Sequence, residues 1–375
     1  MNVRSIEAIP VAYPEPNDNG ATRHLCLVRL TTDDGVVGWG ESITQWPEAS
    51  RATREIIDGM APLVIGSPVT DVIGIWRRLV DHAWWYGWRG GIAYNAIAAI
   101  DIALWDAKGR TLGASLLELL GGAVHDRLPA IASCHAFKPD LEELVTDMGS
   151  WVSSGLQGVK VGFGKKGESR LGYDHDRDVR FVRLLREAIG PDAPLMVDLG
   201  VAVYWDPPTA ISRVRAFAES GLSWIEEPMG PWDPAGYRRL RSAVDTAIAW
   251  GEREWDARGY DEVLDTGCVD VVGVDPGRVR GVTGFQQIAA RVEAAQRTLN
   301  AHAWSSAIVT AASLAASFAS PAARLFELKP LPNPMQDELV EFPITHTDGW
   351  MLPPTGPGLG IVPIPEVVDH YRLDR

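Results

Sequence analysis

Cysteine is scarce. Cys26, Cys134 and Cys268 are all there are in 375 residues, too few and too scattered for a disulfide framework or a zinc cluster, and their rarity fits a reducing cytoplasm. Positive charge is short too: 35 Lys and Arg against 49 Asp and Glu leave −14. Nucleic acid and anionic membrane surfaces both call for a basic face, so neither is expected as a partner. A small anionic substrate stays open, because a local metal or lysine overrides a distant net charge. Long apolar runs are missing. The most apolar late segment, Ile308 to Ala319, is short and alanine-rich; it reads as a buried helix, since a span needs about 20 apolar residues. The opening MNVRSIEAIP has no basic stretch followed by an apolar one, so no secretory signal is expected. No repeat of 20–50 residues stands out.

What is present is an ordinary soluble composition, 46% hydrophobic and 22% charged. The length allows two or three domains, or one large barrel with an addition. Fifteen tryptophans read as core and interface packing. Residues 1–125 open with strand-like Leu25–Leu30 and Val36–Trp39, joined by a Thr-Asp-Asp-Gly hairpin signal. Helical spacing follows at Ala93, Ile97, Ile100 and Leu104. This stretch reads as a small antiparallel sheet with helices.

From 126 to 330 the rhythm changes. Eight short apolar runs begin at Ala130, Gly158, Leu195, Ser223, Ala247, Val269, Thr298 and Arg324, with amphipathic segments between them. Strand–helix alternation with short loops implies parallel strands and right-handed crossovers, and eight units make a (β/α)8 barrel the economical reading. A doubly wound sheet competes, but no G-x-G-x-x-G follows its first strand. Residues 331–375, rich in proline and glycine, read as a tail packed on the rest.

Polar residues recur where these runs stop: Lys160, Asp198, Glu226, Glu252, Asp275, His302 and Glu327, spaced 23 to 38 residues apart. In a barrel those positions face the active-site mouth. Asp198, Glu226 and Glu252 come from successive strands, and three carboxylates on rigid ends suit a hard divalent cation such as Mg²⁺. A surface charge explains any one of them, but not three at this spacing. No Cys/His cluster accompanies them, which speaks against zinc. Asp275 and His302 lie on neighbouring strand ends; a carboxylate that holds an imidazole sets its tautomer and makes an acid/base. Lys160 would grip a carboxylate. Lys165 and Lys166 read as solvated.

At this point the chain resembles the enolase superfamily, in particular its mandelate racemase/muconate lactonizing enzyme-like subgroup. The matching segments are AIAAIDIALWDAKGRTLGASLLELLGG (96–122), WIEEP (224–228), GEREW (251–255), DVVGVDPGRVRGVTG (270–284), NAHAWSSAI (300–308) and GWMLPPTGPGLGI (349–361). The resemblance implies a modified TIM barrel, (β/α)7β, under an α+β cap built from the N-terminal stretch and the tail. It implies that Asp198, Glu226 and Glu252 bind Mg²⁺ while Glu227 stands behind them, that His302 and Asp275 form the acid/base dyad, and that Glu327 hydrogen-bonds a substrate carboxylate oxygen. Two cap loops, near Pro14–His24 and Gln45–Ser50, would set specificity. Cap loops of this kind lie near subunit contacts, which points to a homo-oligomer.

Two positions depart from the pattern. The family's second strand ends Lys-x-Lys, and here it is Lys160-Val161-Gly162. The third reads Asp198-Leu199-Gly200, without a base two residues after the metal aspartate. Racemisation needs a base on each face of the carbon, and only one is evident. A histidine base with Mg²⁺ is the superfamily's own pattern, and one histidine suffices for syn dehydration, taking the α-proton and returning it to the departing β-hydroxyl. The expectation is therefore a cytoplasmic, Mg²⁺-dependent lyase: an acid-sugar dehydratase acting on an aldonate or aldarate to give a 2-keto-3-deoxy acid. A racemase, epimerase or cycloisomerase using Lys160 as second base is the alternative, and a non-catalytic barrel that binds an acid sugar or a protein is the alternative of another class.

Overall fold

The computed structural model describes residues 1–373 apart from 166 and 201. The chain begins with a three-stranded antiparallel sheet, β1 (Val3–Glu15), β2 (Ala21–Thr32) and β3 (Val37–Gln45), in that order. The hairpin signal at 32–35 joins β2 to β3. The helices α1 (Pro47–Met60), α2 (Val72–His82), α3 (Ile92–Leu112) and the short α4 (Leu116–Leu119) follow. Gly38 and Gly40 let β3 lie directly on α3: a Cβ at Gly40 would fall 1.9 Å from the Ala99 carbonyl oxygen, and one at Gly38 2.3 Å from that of Ala103. The small residues of both elements are what allow this approach.

The barrel strands are β4 (Leu128–His135), β5 (Gly158–Phe163), β6 (Leu195–Leu199), β7 (Trp224–Glu226), β8 (Ile248–Trp250), β9 (Val271–Val274), β10 (Thr298–Ala301) and β11 (Phe326–Leu328). Neighbours pair in parallel around the ring, β11 pairs with β4, and a Leu299–Ala323 bridge joins the β10 side to the chain entering β11. Between them run α5 (Leu141–Ser153), α6 (His175–Ile189), α7 (Pro207–Phe217), α8 (Pro234–Arg241), α9 (Ala257–Asp265), α10 (Gly281–Ala294) and α11 (Ala307–Ala319). The architecture is the modified (β/α)7β barrel. α5 to α9 each start on an aspartate, Asp140, Asp174, Asp206, Asp233 and Asp256, whose side chain accepts from the third helical N–H; such a cap contributes about 1 kcal/mol. α11 is apolar on all sides and almost wholly buried, as a helix of that composition must be. No helix of the described residues is long and apolar enough to cross a membrane.

The tail returns across the molecule. β12 (Trp350–Met351) pairs antiparallel with β4, and α12 (Pro365–Tyr371) ends against β1, where the Leu373 N–H donates to the Pro10 carbonyl and Arg372 pairs with Glu7. Glu41 of β3 ties cap to barrel: its buried carboxylate accepts from the Ser305 and Ser306 hydroxyls and from the Ser306 and Val309 N–H groups at the start of α11. Tryptophan is not confined to packing, for Trp84, Trp85 and Trp88 stand exposed between α2 and α3.

Candidate active site

The expected residues meet at one end of the barrel. Asp198 is the penultimate residue of β6, Glu226 ends β7, Glu252 lies just beyond β8, Asp275 follows β9 and His302 follows β10. One carboxylate oxygen each from Asp198, Glu226 and Glu252 lie within 4.8 Å of one another. Lys160 and Glu327 sit deeper than expected. They are not at strand ends but inside β5 and β11, because both strands run on past them, so their side chains form the floor. The Lys160 ammonium is 3.0 Å from Glu226 Oε2 and 2.9 Å from Glu327 Oε1. Asn300 donates to Glu327 Oε1 at 2.6 Å, and the Trp224 indole donates to Glu226 Oε2 at 3.1 Å. Glu327 Oε2 is buried and unpartnered among the described residues.

The dyad is formed. His302 Nδ1 lies 2.5 Å from Asp275 Oδ2, whose other oxygen accepts from the Gly277 N–H at 2.8 Å. Nδ1 therefore carries the proton, and Nε2 points at the triad, 3.7 Å from Glu252 Oε1. Glu227 takes no part in the triad. Its backbone is left-handed, φ 41°, and turns its carboxylate onto Arg253 Nε at 2.9 Å and the Gly251 N–H at 3.3 Å.

The electrostatics are those of a crowded acidic pocket. Burial, reinforced by Asp198, Glu327 and Glu252, raises Glu226 to about 8 against the pull of Lys160. Burial works the same way on Glu252, but His302, Lys160 and Lys165 outweigh it and hold its carboxyl well down. Burial opposes charge on His302, yet Glu252 and Asp275 raise its pKa to about 9. Lys160 is held firmly charged by Glu226 and Glu327 despite burial.

Two family descriptions cover most of the chain: "Mandelate racemase / muconate lactonizing enzyme, N-terminal domain" matches residues 17–121, and "Enolase C-terminal domain-like" matches 142–367. The chain belongs to the mandelate racemase/muconate lactonizing enzyme family of the enolase superfamily. It is 29% identical over 360 residues to D-galactarolactone cycloisomerase of Agrobacterium fabrum, covering 92% of this chain and 91% of that one. In structure it is similar to the 3,6-anhydro-D-galactonate cycloisomerase of Zobellia galactanivorans, with TM-score 0.89, 28% identity and full coverage of both chains. It is also similar to L-talarate dehydratase of Polaromonas sp. JS666 in complex with Mg and L-glucarate, with TM-score 0.86, 27% identity and 100% and 98% coverage.

Against that family frame, two residues of the pocket escaped the sequence reading. Lys165 is only partly exposed. It reaches back to 3.4 Å from Asp198 Oδ2; Lys166 lies outside the described residues. His135, the last residue of β4, is partly buried and stacked on Trp304 with ring centroids 4.2 Å apart. Its Nδ1 lies 3.6 Å from Asp18 in the turn between β1 and β2, and Arg23, which lies in β2 and not in a loop as expected, donates to the Trp304 carbonyl at 2.6 Å. His135 is itself a polar strand-end residue. It was missed because the first apolar run was read as stopping at Ser133. The second cap loop follows Ile43, which packs against Gly277 beside Asp275.

Proposed function

We propose that this protein is a Mg²⁺-dependent lyase that takes the α-proton from an acid sugar and expels the β-hydroxyl on the same face, giving a 2-keto-3-deoxy acid. The observation that carries this reading is one imidazole, anchored at Nδ1 by Asp275, with Nε2 turned toward three clustered carboxylates. The cluster suits Mg²⁺: its donors are all carboxylate oxygens within 4.8 Å of one another, and like charges this close favour a cation. Bound there, Mg²⁺ supplies positive charge against the negative charge that develops on the substrate carboxylate as the α-proton leaves.

The chain's own residues do the rest. His302 Nε2 accepts the α-proton, and the imidazolium is stabilised by Asp275. Lys160 stabilises the enediolate from the floor. Glu327 Oε2, the unpartnered oxygen, would share a hydrogen bond with a substrate carboxylate oxygen. A C2–C3 double bond forms as the β C–O bond breaks, Nε2–H returns its proton to the leaving oxygen, and the resulting enol tautomerises to the 2-keto acid, C3 gaining a proton from water as the enol O–H loses one. His302 ends neutral, ready for the next turnover. His302 must be neutral to begin, and Glu252, which supplies the leading charge that raises its pKa, is also one of the residues that would hold the cation.

A second reading draws on the names of the relatives. If the β-oxygen belongs to a lactone or anhydro ring, the same elimination opens the ring and the product is an isomer of the substrate, the outcome expected of a cycloisomerase. Incubating the Mg²⁺-loaded enzyme with aldonic and aldaric acids, their lactones and anhydro forms, with mass detection, separates the two. Loss of water supports dehydration, and a ring-opened product of unchanged mass supports the second reading. Exchange of the α-proton without C–O cleavage on any of them, or full turnover by His302→Asn, overturns both. Three buried cysteines, none in a disulfide among the described residues, suit a cytoplasmic site of action.

A further inference from the structure

The two departures from the family pattern, Gly162 and Gly200, adjoin one object. A Cβ on Gly162 would fall 2.6 Å from Lys165 Cε, and a Cβ on Gly200 2.6 Å from Lys165 Cδ. The methylene stem of Lys165 passes through the space that side chains at 162 and 200 would occupy. Its ammonium ends 3.4 Å from Asp198 Oδ2, in a side chain only 21% exposed. Gly164, with φ +64°, turns the chain back just after β5, which brings a residue from beyond the strand over the mouth.

The position is specific. The triad runs Asp198, Glu226, Glu252 along β6, β7 and β8, and His302 lies at the Glu252 end. Lys165 lies at the Asp198 end. Lys160 cannot serve that flank, because it is ion-paired below the triad to Glu226 and Glu327. Among the described residues the carboxylate within ion-pair distance of Lys165 is Asp198, a candidate metal ligand.

We propose that Lys165 is a substrate-binding residue: a loop ammonium, admitted by Gly162 and Gly200, that grips an oxygen of the acid substrate at the end of the triad opposite His302. Before a cation enters, the ammonium neutralises Asp198; once Asp198 holds a cation, the ammonium turns to the substrate. This inference rests on the proposed reading of the site as one for α-hydroxy acids with a divalent cation.

The test is calorimetry on three proteins: wild type, Lys165→Met and Gly162→Ala. Gly162→Ala keeps the ammonium but displaces it, and the atoms it presses on are the lysine's own methylenes and the His135 ring, so the fold survives. Mg²⁺ alone is titrated first. Removing a competing charge from Asp198 should tighten Mg²⁺ binding in Lys165→Met by about fivefold or more. Tartronate is then titrated into the Mg²⁺-loaded proteins; it is an α-hydroxy dicarboxylate with no β-hydroxyl to eliminate. Both variants should bind it about tenfold more weakly than wild type, and Lys165→Arg should recover part of the loss. Tartronate bound equally by wild type and Lys165→Met, or Mg²⁺ affinity unchanged or weaker in Lys165→Met, overturns the role of Lys165 and leaves the proposed function standing. Wild type that takes up neither Mg²⁺ nor tartronate overturns the proposed function itself.

Discussion

At the scale of single residues, Asp275 and His135 show how differently two polar groups behave at the ends of barrel strands. Asp275 fixes the tautomer of His302 through Nδ1. In Asp275→Asn the amide still fits, but its carbonyl oxygen is a weaker acceptor and leaves the imidazolium without a counter-charge. The expected outcome is a kcat lower by about 10² to 10⁴ with KM little changed, read from steady-state kinetics on whichever acid is turned over; a KM effect alone would contradict the dyad. His135 is held neutral. Burial, helped by the charge of Lys165 and opposed by Asp18, lowers its pKa to about 4. The unfolded chain, with an ordinary imidazole near 6.5, therefore binds more protons than the native one between about pH 6.5 and 4. Native stability is lost as the pH drops from about 6.5 to 4, by roughly 3 kcal/mol in all. His135→Phe, which retains the ring on Trp304, should flatten the acid limb of a denaturation-midpoint profile over that range, and an unchanged slope would show that His135 is not its source. Asp275 and His302 were legible in the sequence as polar residues ending apolar runs. Lys165 was not, since nothing in a string of letters shows a lysine turning back over two glycines.

At the scale of elements, the periodicity was most legible where strands are short and wholly buried. β10 has the bounds Thr298–Ala301 that its apolar run has, and α11 fills the segment read as a buried helix. It was least legible in β1, whose 13 residues mix Pro10 and Pro14 into a two-sided pattern, and in β5, where Lys160 looks like a terminus although the strand continues to Phe163. A lysine reads as the end of an apolar run unless its partners are known, and those partners, Glu226 and Glu327, are far away in sequence. Glu41 has the same character. It stands in a strand of the cap, yet its work is at the N-terminus of α11, just after the loop that carries His302. Removing it in Glu41→Ala orphans two buried hydroxyls and two backbone N–H groups, at about 3 kcal/mol. The expected result is a lower thermal midpoint together with a lower kcat, since residues 302–306 lose their tether to the cap. Glu41→Gln, which keeps acceptor capacity on one oxygen, should fall between; equal loss in both would place the effect on charge and not on the hydrogen bonds.

At the scale of the whole molecule, the barrel's ring of strands imposes a cost that no element shows alone. Three carboxylates converge from β6, β7 and β8, and burial with mutual repulsion pushes Glu226 up to about 8. Two ammonium groups and His302 offset part of this charge, but the clustered oxygens still favour a divalent ion. A ligand that binds only the native state stabilises it by RT ln(1 + [L]/Kd), about 2.7 kcal/mol at a hundredfold excess over Kd. For a chain of 375 residues that corresponds to a rise in Tm of roughly 3 °C. Scanning calorimetry with and without Mg²⁺ should show this rise, and EDTA should reverse it. Asp198→Asn separates the metal effect from general ionic screening: it removes one oxygen donor charge and one ion pair, with Lys165. Its Tm without Mg²⁺ should stay within about 2 °C of wild type, because that pair is partly exposed and such pairs contribute little. Its Mg²⁺-dependent rise should vanish. If Asp198→Asn keeps the full rise, Mg²⁺ is binding elsewhere on this acidic surface, and the three strand ends are not what holds it.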